Sequence, residues 1–342
     1  MTAGFDLTAL VARARGLRTR LVARGVLDEL ADASDVQSLA RGLARQGPWL
    51  EPVEQPVTWG RVEAAVRRTA ARHLRVLATW ARACPLLDIF YADQDRRNLR
   101  ALLRGALEGA SVDERLAGLL ATPRLPERLL EVLARQPTAA RVVAQLVLAR
   151  HPDAAMLTPV ATRAHPAVLE VEHALVAAFA DRSVAAARSG DENLRQFVRT
   201  RVDVCNMQMA LSVAGRPRDV APDMQFTDGG AALDRRAFAS ACDAPSAGEA
   251  SERMRRALAG TALQELASLA GGDPVRLEDV ATRRALEHQR RQERLDPLGS
   301  APLVSFLLRL QAQTMDIQRL VGGVTLGAPA SVIRAALVTP WS

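Results

Sequence analysis

The chain has 342 residues, 49% of them hydrophobic and 24% charged, enough to bury a sizeable core and too apolar for global disorder. All 45 basic residues are arginine, against 38 acids and a formal net charge of +7; with no lysine present, Schiff-base chemistry and a phosphate-loop lysine are excluded. Aromatics make up 4%, with one tyrosine, Tyr91, too few for a surface that reads single-stranded nucleic acid by stacking.

From the N-terminus, Met1 to Asp6 is followed by arginines at 13, 15, 18 and 20, which leave no apolar core for a signal peptide. No apolar run approaches the roughly 20 residues of a membrane span, so the expectation is a soluble cytoplasmic protein, able to dock on a membrane complex but not to insert. Arg24 to Leu30 predicts a short helix, with the turn Ala33-Ser34-Asp35 and a second helix after it. A break follows at Gly47-Pro48. Val62, Val66, Thr69, His73, Leu77 and Trp80 then recur at helical spacing, as do Val168, Val171, Leu175 and Phe179, and near the end Leu303, Leu307, Leu310, Thr314, Ile317 and Val321. Ser111-Val112-Asp113-Glu114 and Ser246-Ala247-Gly248-Glu249 match capping boxes. Further breaks fall at Thr122-Pro123, Gln136-Pro137, His151-Pro152, His165-Pro166, Gly229-Gly230 and Gly271-Gly272-Asp273-Pro274. No stretch alternates as a strand would, and the chain reads as all-α, with helices of about 10 to 22 residues and short connections.

Candidate chemistry is sparse. Cys84, Cys205 and Cys242 are far apart and odd in number, which suggests a reducing compartment rather than a disulfide framework. His73, His151, His165, His173 and His288 do not sit at metal-ligand spacing, and no metal or cofactor is expected. Glu170, Glu172 and His173 form the tightest acid-histidine group, a pattern that is more often a surface contact than a ligand set. Asp28-Glu29, Asp113-Glu114 and Asp191-Glu192 read as acids at helix starts, favoured there by the helix dipole. The arginine runs, such as Arg283, Arg284, Arg290, Arg291 and Arg294, are interleaved with Glu287 and Glu293, as on a solvated helix face. No catalytic residue emerges.

An internal repeat is more informative. Asp95-Arg96-Arg97-Asn98-Leu99, Asp203-Val204-Cys205-Asn206-Met207 and Asp316-Ile317-Gln318-Arg319-Leu320 carry acids 108 and 113 residues apart. Each follows a long amphipathic helix with an early glutamate, around Glu63, Glu170 or Glu287. Asp and Asn three apart share a helix face, and buried polar groups are kept only where partners satisfy them. The expectation is that Asp95, Asn98, Asp203, Asn206 and Asp316 are structural, with hydrogen bonds across repeats; alternatively, Asp95 and Asp203 are first-turn acids and the asparagines incidental. Only 26 residues follow Asp316 while 94 precede Asp95, and Arg24–Leu30 with its following helix resembles Arg235 to Leu258. Three units then divide the chain as 1–152 (N-terminal segment plus first repeat), 153–272 and 273–342, the last completed by about residues 1–55.

At these residues the chain resembles the C subunit of archaeal and bacterial V-type (A-type) rotary ATPases, the counterpart of the eukaryotic d subunit. Asp95, Asn98, Leu99 and Arg104 match the family's theme, as do Asp203, Asn206 and Met207; Phe226-Thr227-Asp228-Gly229-Gly230 matches its phenylalanine and double glycine, and Ala12 to Arg18 its first helix. The resemblance implies a three-fold pseudosymmetric helical funnel without an active site or cofactor, one copy per complex, peripheral on the cytoplasmic face of the membrane. It would join the proteolipid ring to the D and F subunits of the central stalk and transmit rotation coupled to ion transport or ATP synthesis. Three departures stand out: Arg319 replaces the third asparagine, Gly322-Gly323 is expected to shorten that helix, and the early aromatics reduce to Phe5. Arg13, Arg15, Arg18, Arg96, Arg97 and Arg104 are the arginines expected to face partners, since planar guanidinium forks pair with carboxylates and carbonyls. The competing reading is a helical nucleic-acid- or protein-binding module unrelated to rotary ATPases.

Overall fold

The computed structural model describes residues 6–46, 50–81, 84–216 and 225–339. Phe5 and the Gly47-Pro48 break lie outside the described residues. Among the described residues the chain is all helical. In chain order the helices are α1 (Leu7–Arg18), α2 (Arg24–Leu30), α3 (Val36–Arg45), α4 (Trp59–Ala78), α5 (Pro85–Glu108), α6 (Val112–Leu116), α7 (Glu127–Ala134), α8 (Ala139–Leu148) and α9 (Ala154–Ala161). They continue as α10 (Val168–Ala187), α11 (Glu192–Val213), α12 (Arg235–Cys242), α13 (Ala247–Ala257), α14 (Leu263–Ala270), α15 (Pro274–Leu295), α16 (Ala301–Thr325) and α17 (Ala330–Ala336).

Polar side chains set most of the helix starts by taking N–H groups that have no intrahelical acceptor. Asp35 accepts from Ser38 N at 2.7 Å, Asp191 from Leu194 N at 2.8 Å and Asp234 from Ala237 N at 2.7 Å. Ser111 completes the predicted capping box with Glu114. Ser246 caps Glu249 N, while the Glu249 carboxylate turns to Arg253 instead. Gly271 ends α14 in the left-handed region, φ +59°, and Pro274 opens α15 where its missing N–H costs nothing.

Long helices come in three consecutive pairs: α4 and α5 with 20 and 24 residues, α10 and α11 with 20 and 22, α15 and α16 with 22 and 25. Two sequence expectations about them are corrected. Gly322-Gly323 does not shorten α16, which runs on to Thr325; a side chain at Gly323 would instead meet Ile333 of α17 at 2.7 Å, so the glycine lets α17 pack close. The early acid of α15 is Glu278 rather than Glu287, which falls in the middle of the helix.

The chain divides into two compact units. One comprises Met1–Leu87, Ser111–Glu131 and Ala285–Ser342; the other Asp88–Ala110 and Val132–Arg284. In the first, α16 is the central helix, packed by α1, α2, α3, α4 and α17. Its Ile317, Leu320 and Val321 bury against Leu27, Leu39, Leu43, Val62 and Val66. At roughly 1.5 to 3 kcal/mol per buried aliphatic side chain, this layer is the main source of stability for the element. Trp80, expected on the buried face of α4, lies just past its end and is 53% exposed, with the Arg13 guanidinium 3.9 Å from its ring centroid.

In the second unit α11 is central, packed by α10, α12 and α13. Met207 and Leu211 bury there with Phe238, Met254, Leu258, Leu266 and Leu277, and Ala92, Phe179, Ala180 and Val202 form a smaller layer linking α5, α10 and α11. The two central helices are dressed alike: α12 and α13 pack on α11 and on each other, as α2 and α3 do on α16.

Candidate functional site

All three repeat acids are buried in mid-helix, so the first-turn reading of Asp95 and Asp203 does not hold. Asp203 receives three backbone N–H groups from the loop after α11: Ala231 and Ala232 at 3.0 Å on one oxygen and Leu233 at 3.2 Å on the other. Burial raises its pKa, and those three hydrogen bonds only partly offset the effect. Gly230 is the counterpart of this cradle, because a Cβ there would overlap an Asp203 carboxylate oxygen. Three positions on from the acid, Asn206 clamps the same loop in both directions, donating to Thr227 O at 2.8 Å and accepting from Thr227 N at 3.0 Å. The asparagine therefore bonds a loop of its own repeat, not a neighbouring repeat as expected. The acid, the asparagine and the double glycine are parts of one device, a helix that grips the loop returning to it.

Asp316 repeats the device in the first unit. Its two oxygens accept Val338 N at 2.6 Å and Thr339 N at 2.7 Å, and burial again raises its pKa. Arg319, standing where asparagine was expected, reaches the same segment by donating to Ala336 O at 2.5 Å. Arg24 holds it from another side, donating to Thr339 O at 2.8 Å and pairing with Asp28 one turn along α2. Asp28-Glu29 thus lies in the body and last turn of α2, not at its start.

Asp95 is held by side chains. Arg182 bridges it to Asp153, at 3.3 and 2.8 Å, and His151 Nε2 lies 3.4 Å from the same Asp95 oxygen. His151 Nδ1 accepts Asp153 N at 3.3 Å. Asn98 accepts from Gln94 at 3.1 Å on the same helix.

A larger ionic network joins α5, α11 and α15, and the repeat motif alone does not announce it. Asp93 accepts from Arg96 at 2.7 Å and Arg97 at 3.0 Å, and Arg201 bonds Glu278 at 2.6 Å and lies 3.4 Å from Asp93. Arg97 also pairs with Glu278, and Gln208 donates to it at 2.6 Å. Only 15% and 14% of the Asp93 and Glu278 side chains are exposed. Burial opposes their ionisation, but Arg201, Arg97 and Arg96 outweigh it and hold Asp93 and Glu278 well below the carboxylate range. The adjacent cavity, lined by Arg96, Arg100, Glu172, Cys205, Gln208 and Ser212, is about 20 Å³, the room a water needs and far below the size of a ligand pocket.

The six arginines expected at partners have different surroundings. Arg96 is buried, its guanidinium 5.6 Å from the Phe179 ring centroid, and Arg97 is mostly buried in the network just described. Arg13 and Arg15 are exposed, and Arg15 donates to Pro297 O at 2.8 Å. Arg18 pairs with Glu293 at 2.9 Å, and Arg104 with Glu108 at 3.0 Å. The acid-histidine group is dispersed: Glu170 takes Arg163 at 2.5 Å, Glu172 takes Arg100 at 3.1 Å, and burial depresses the His173 pKa. Among the described residues no three metal-ligating side chains converge. No helix among them is long and apolar enough to cross a membrane.

Buried polar groups that grip loops and tie helices together define a helical framework protein. The sequence profile of the family "ATP synthase (C/AC39) subunit" matches residues 10–336, and the chain belongs to that family, which groups the C and d subunits of A-type and V-type ATPases. It is also similar to the C subunit of the A-type ATP synthase from Haloferax volcanii, with 24% identity over 283 residues, 81% of each chain.

Proposed function

We propose that the chain is the non-catalytic coupling component of a rotary ATPase or ATP synthase, seated between the proteolipid ring and the D and F subunits of the central stalk on the cytoplasmic side of the membrane. Rotation passes through it between ion transport at the ring and nucleotide chemistry in the head. The observation that carries this reading is the family match across almost the whole chain, from residue 10 to 336. The relative in Haloferax volcanii, named as part of an A-type ATP synthase, supports it.

Three related units, arranged as a funnel with the N-terminal segment completing the third, belong to the same proposal. It is supported by the three long-helix pairs, by the matching use of Asp203 and Asp316, and by the like packing of α2 and α3 on α16 and of α12 and α13 on α11. A protein that transmits torque needs loops that do not yield, and buried carboxylates holding main-chain amides supply that rigidity. Of the six arginines proposed to face partners, the exposed Arg13, Arg15 and Arg104 and the half-exposed Arg18 are best placed, while Arg96 and Arg97 brace the second unit from within.

The test is co-purification of the tagged chain with the stalk pair and with the proteolipid ring. Recovery of both is expected. Recovery of neither, together with a nucleic-acid shift at physiological salt, would establish the binding-module reading instead.

A further inference from the structure

The C-terminal end of α15, the 296–299 turn and α1 bring together arginines and exposed apolar side chains. Leu295 and Leu298, on either side of Pro297, are 77% and 57% exposed. Two such leucines side by side at a turn differ from the scattered exposed apolar residues found on any protein surface. Arg15 donates to the Pro297 carbonyl between them, which places α1 against this turn. On α15, Arg291 and Leu295 are four residues apart and share a face, and Arg290 and Arg294 flank them; all three arginines are exposed.

The positive charge here is under-neutralised. Arg18 pairs with Glu293 at 2.9 Å, and burial, with Arg18 and Arg290 acting against the opposing charge of Glu293, depresses the Arg309 pKa. Asp296, exposed on the same turn, accepts Gly299 N at 2.9 Å and Leu298 N at 3.3 Å, so its carboxylate is engaged by the turn's own amides. Arg15, Arg18, Arg290, Arg291 and Arg294 stand here against Glu293 and Asp296, an excess of positive charge that complements an anion.

We infer that this arginine-flanked leucine turn docks on an anionic lipid bilayer, Leu295 and Leu298 entering the headgroup–acyl boundary while Arg290, Arg291 and Arg294 of α15 meet lipid phosphates. One observation favours lipid over nucleic acid, which also presents phosphates: the exposed apolar residues are aliphatic, whereas stacking on a base would need a ring. The inference does not depend on the rotary assignment, since binding to lipid and binding to a stalk are separate measurements.

Co-flotation of the full chain with vesicles tests it, comparing pure phosphatidylcholine with vesicles containing about one third phosphatidylglycerol. Binding to the anionic vesicles that weakens with salt is expected, with little binding to the neutral ones. Arg290→Gln and Arg294→Gln should each weaken partitioning about fivefold. The double variant Leu295→Ser with Leu298→Ser should weaken it by at least tenfold; its side chains are exposed, so an unchanged melting temperature verifies the fold. Equal binding to both vesicle types overturns the inference. So does a leucine variant that binds as the parent does, or a parent that ignores anionic vesicles at low salt while shifting RNA or DNA.

Discussion

Asp316 in the first unit and the Asp93–Glu278 pair in the second are carboxylates withdrawn from water on long helices, and they are held by opposite means. Asp316 has main-chain amides around it, from Val338 and Thr339. Asp93 and Glu278 have the full charges of Arg96, Arg97 and Arg201. Amide dipoles satisfy a carboxylate's lone pairs without repaying all of its lost hydration, so the Asp316 pKa rises; three guanidinium charges repay more than was lost, and the pKa values of Asp93 and Glu278 fall. The first arrangement anchors a loop to a helix, and the second ties three helices to each other.

The largest effect is expected in the ionic network. Glu278→Ala strands Arg97 and Arg201 with a single acid between them, and urea unfolding should register a loss of about 3 kcal/mol, the scale for breaking one side of a largely buried pair. A loss under 0.5 kcal/mol would make the network a surface feature in energetic terms. In the amide cradle, Asp316→Ala leaves two buried N–H groups unpaired and should cost about 2 kcal/mol, and Asp316→Asn about half of that because one amide oxygen still accepts.

Gly230→Ala forces a methyl group into the Asp203 carboxylate, for a predicted loss of about 2 kcal/mol. Combining it with Asp203→Ala should be clearly less than additive, since the second substitution removes the atom that clashes. Strict additivity in that cycle would separate the double glycine from the acid and dissolve the proposed device.

Opposite pKa directions predict opposite pH dependence. Stabilisation from the depressed Glu278 is present above the ordinary carboxylate pKa, about 4.3, and is lost as pH falls through the depressed value, so the deficit of Glu278→Gln should grow as pH rises from 3 to 5. Stabilisation from the raised Asp316 is present below about 3.9 and is lost as pH rises through the raised value, so the deficit of Asp316→Asn should shrink over the acid-to-neutral range. Parallel curves for the two variants would contradict the distinction. The smallest effect is expected for Arg319→Ala, which removes the bond to Ala336 O and should cost about 1 kcal/mol.

Helical periodicity made the all-α fold legible, because the long helices bury apolar side chains at helical spacing; the spacing of Asp95, Asp203 and Asp316 was legible because a buried acid recurs in the second helix of each long pair. The role of the asparagine was only half readable. Its burial followed from the leucines around it, but Asn206 bonds a loop 21 residues onward, and helical spacing carries no information about where a loop returns. The same limit hid Glu278: Arg96 and Arg97 announce Asp93 by i to i+3 and i+4 spacing, whereas Arg201 and Glu278 meet only through tertiary packing. Trp80 was misplaced because the periodicity runs on two residues past Ala78, where α4 ends and the chain turns.

The coupling role is tested most directly in vesicles that hold the membrane sector with its head and stalk, prepared with and without this chain. ATP hydrolysis by the head should persist in both preparations, while ATP-driven ion transport should require the chain and return when it is added back. Transport that proceeds equally fast without it would contradict the account.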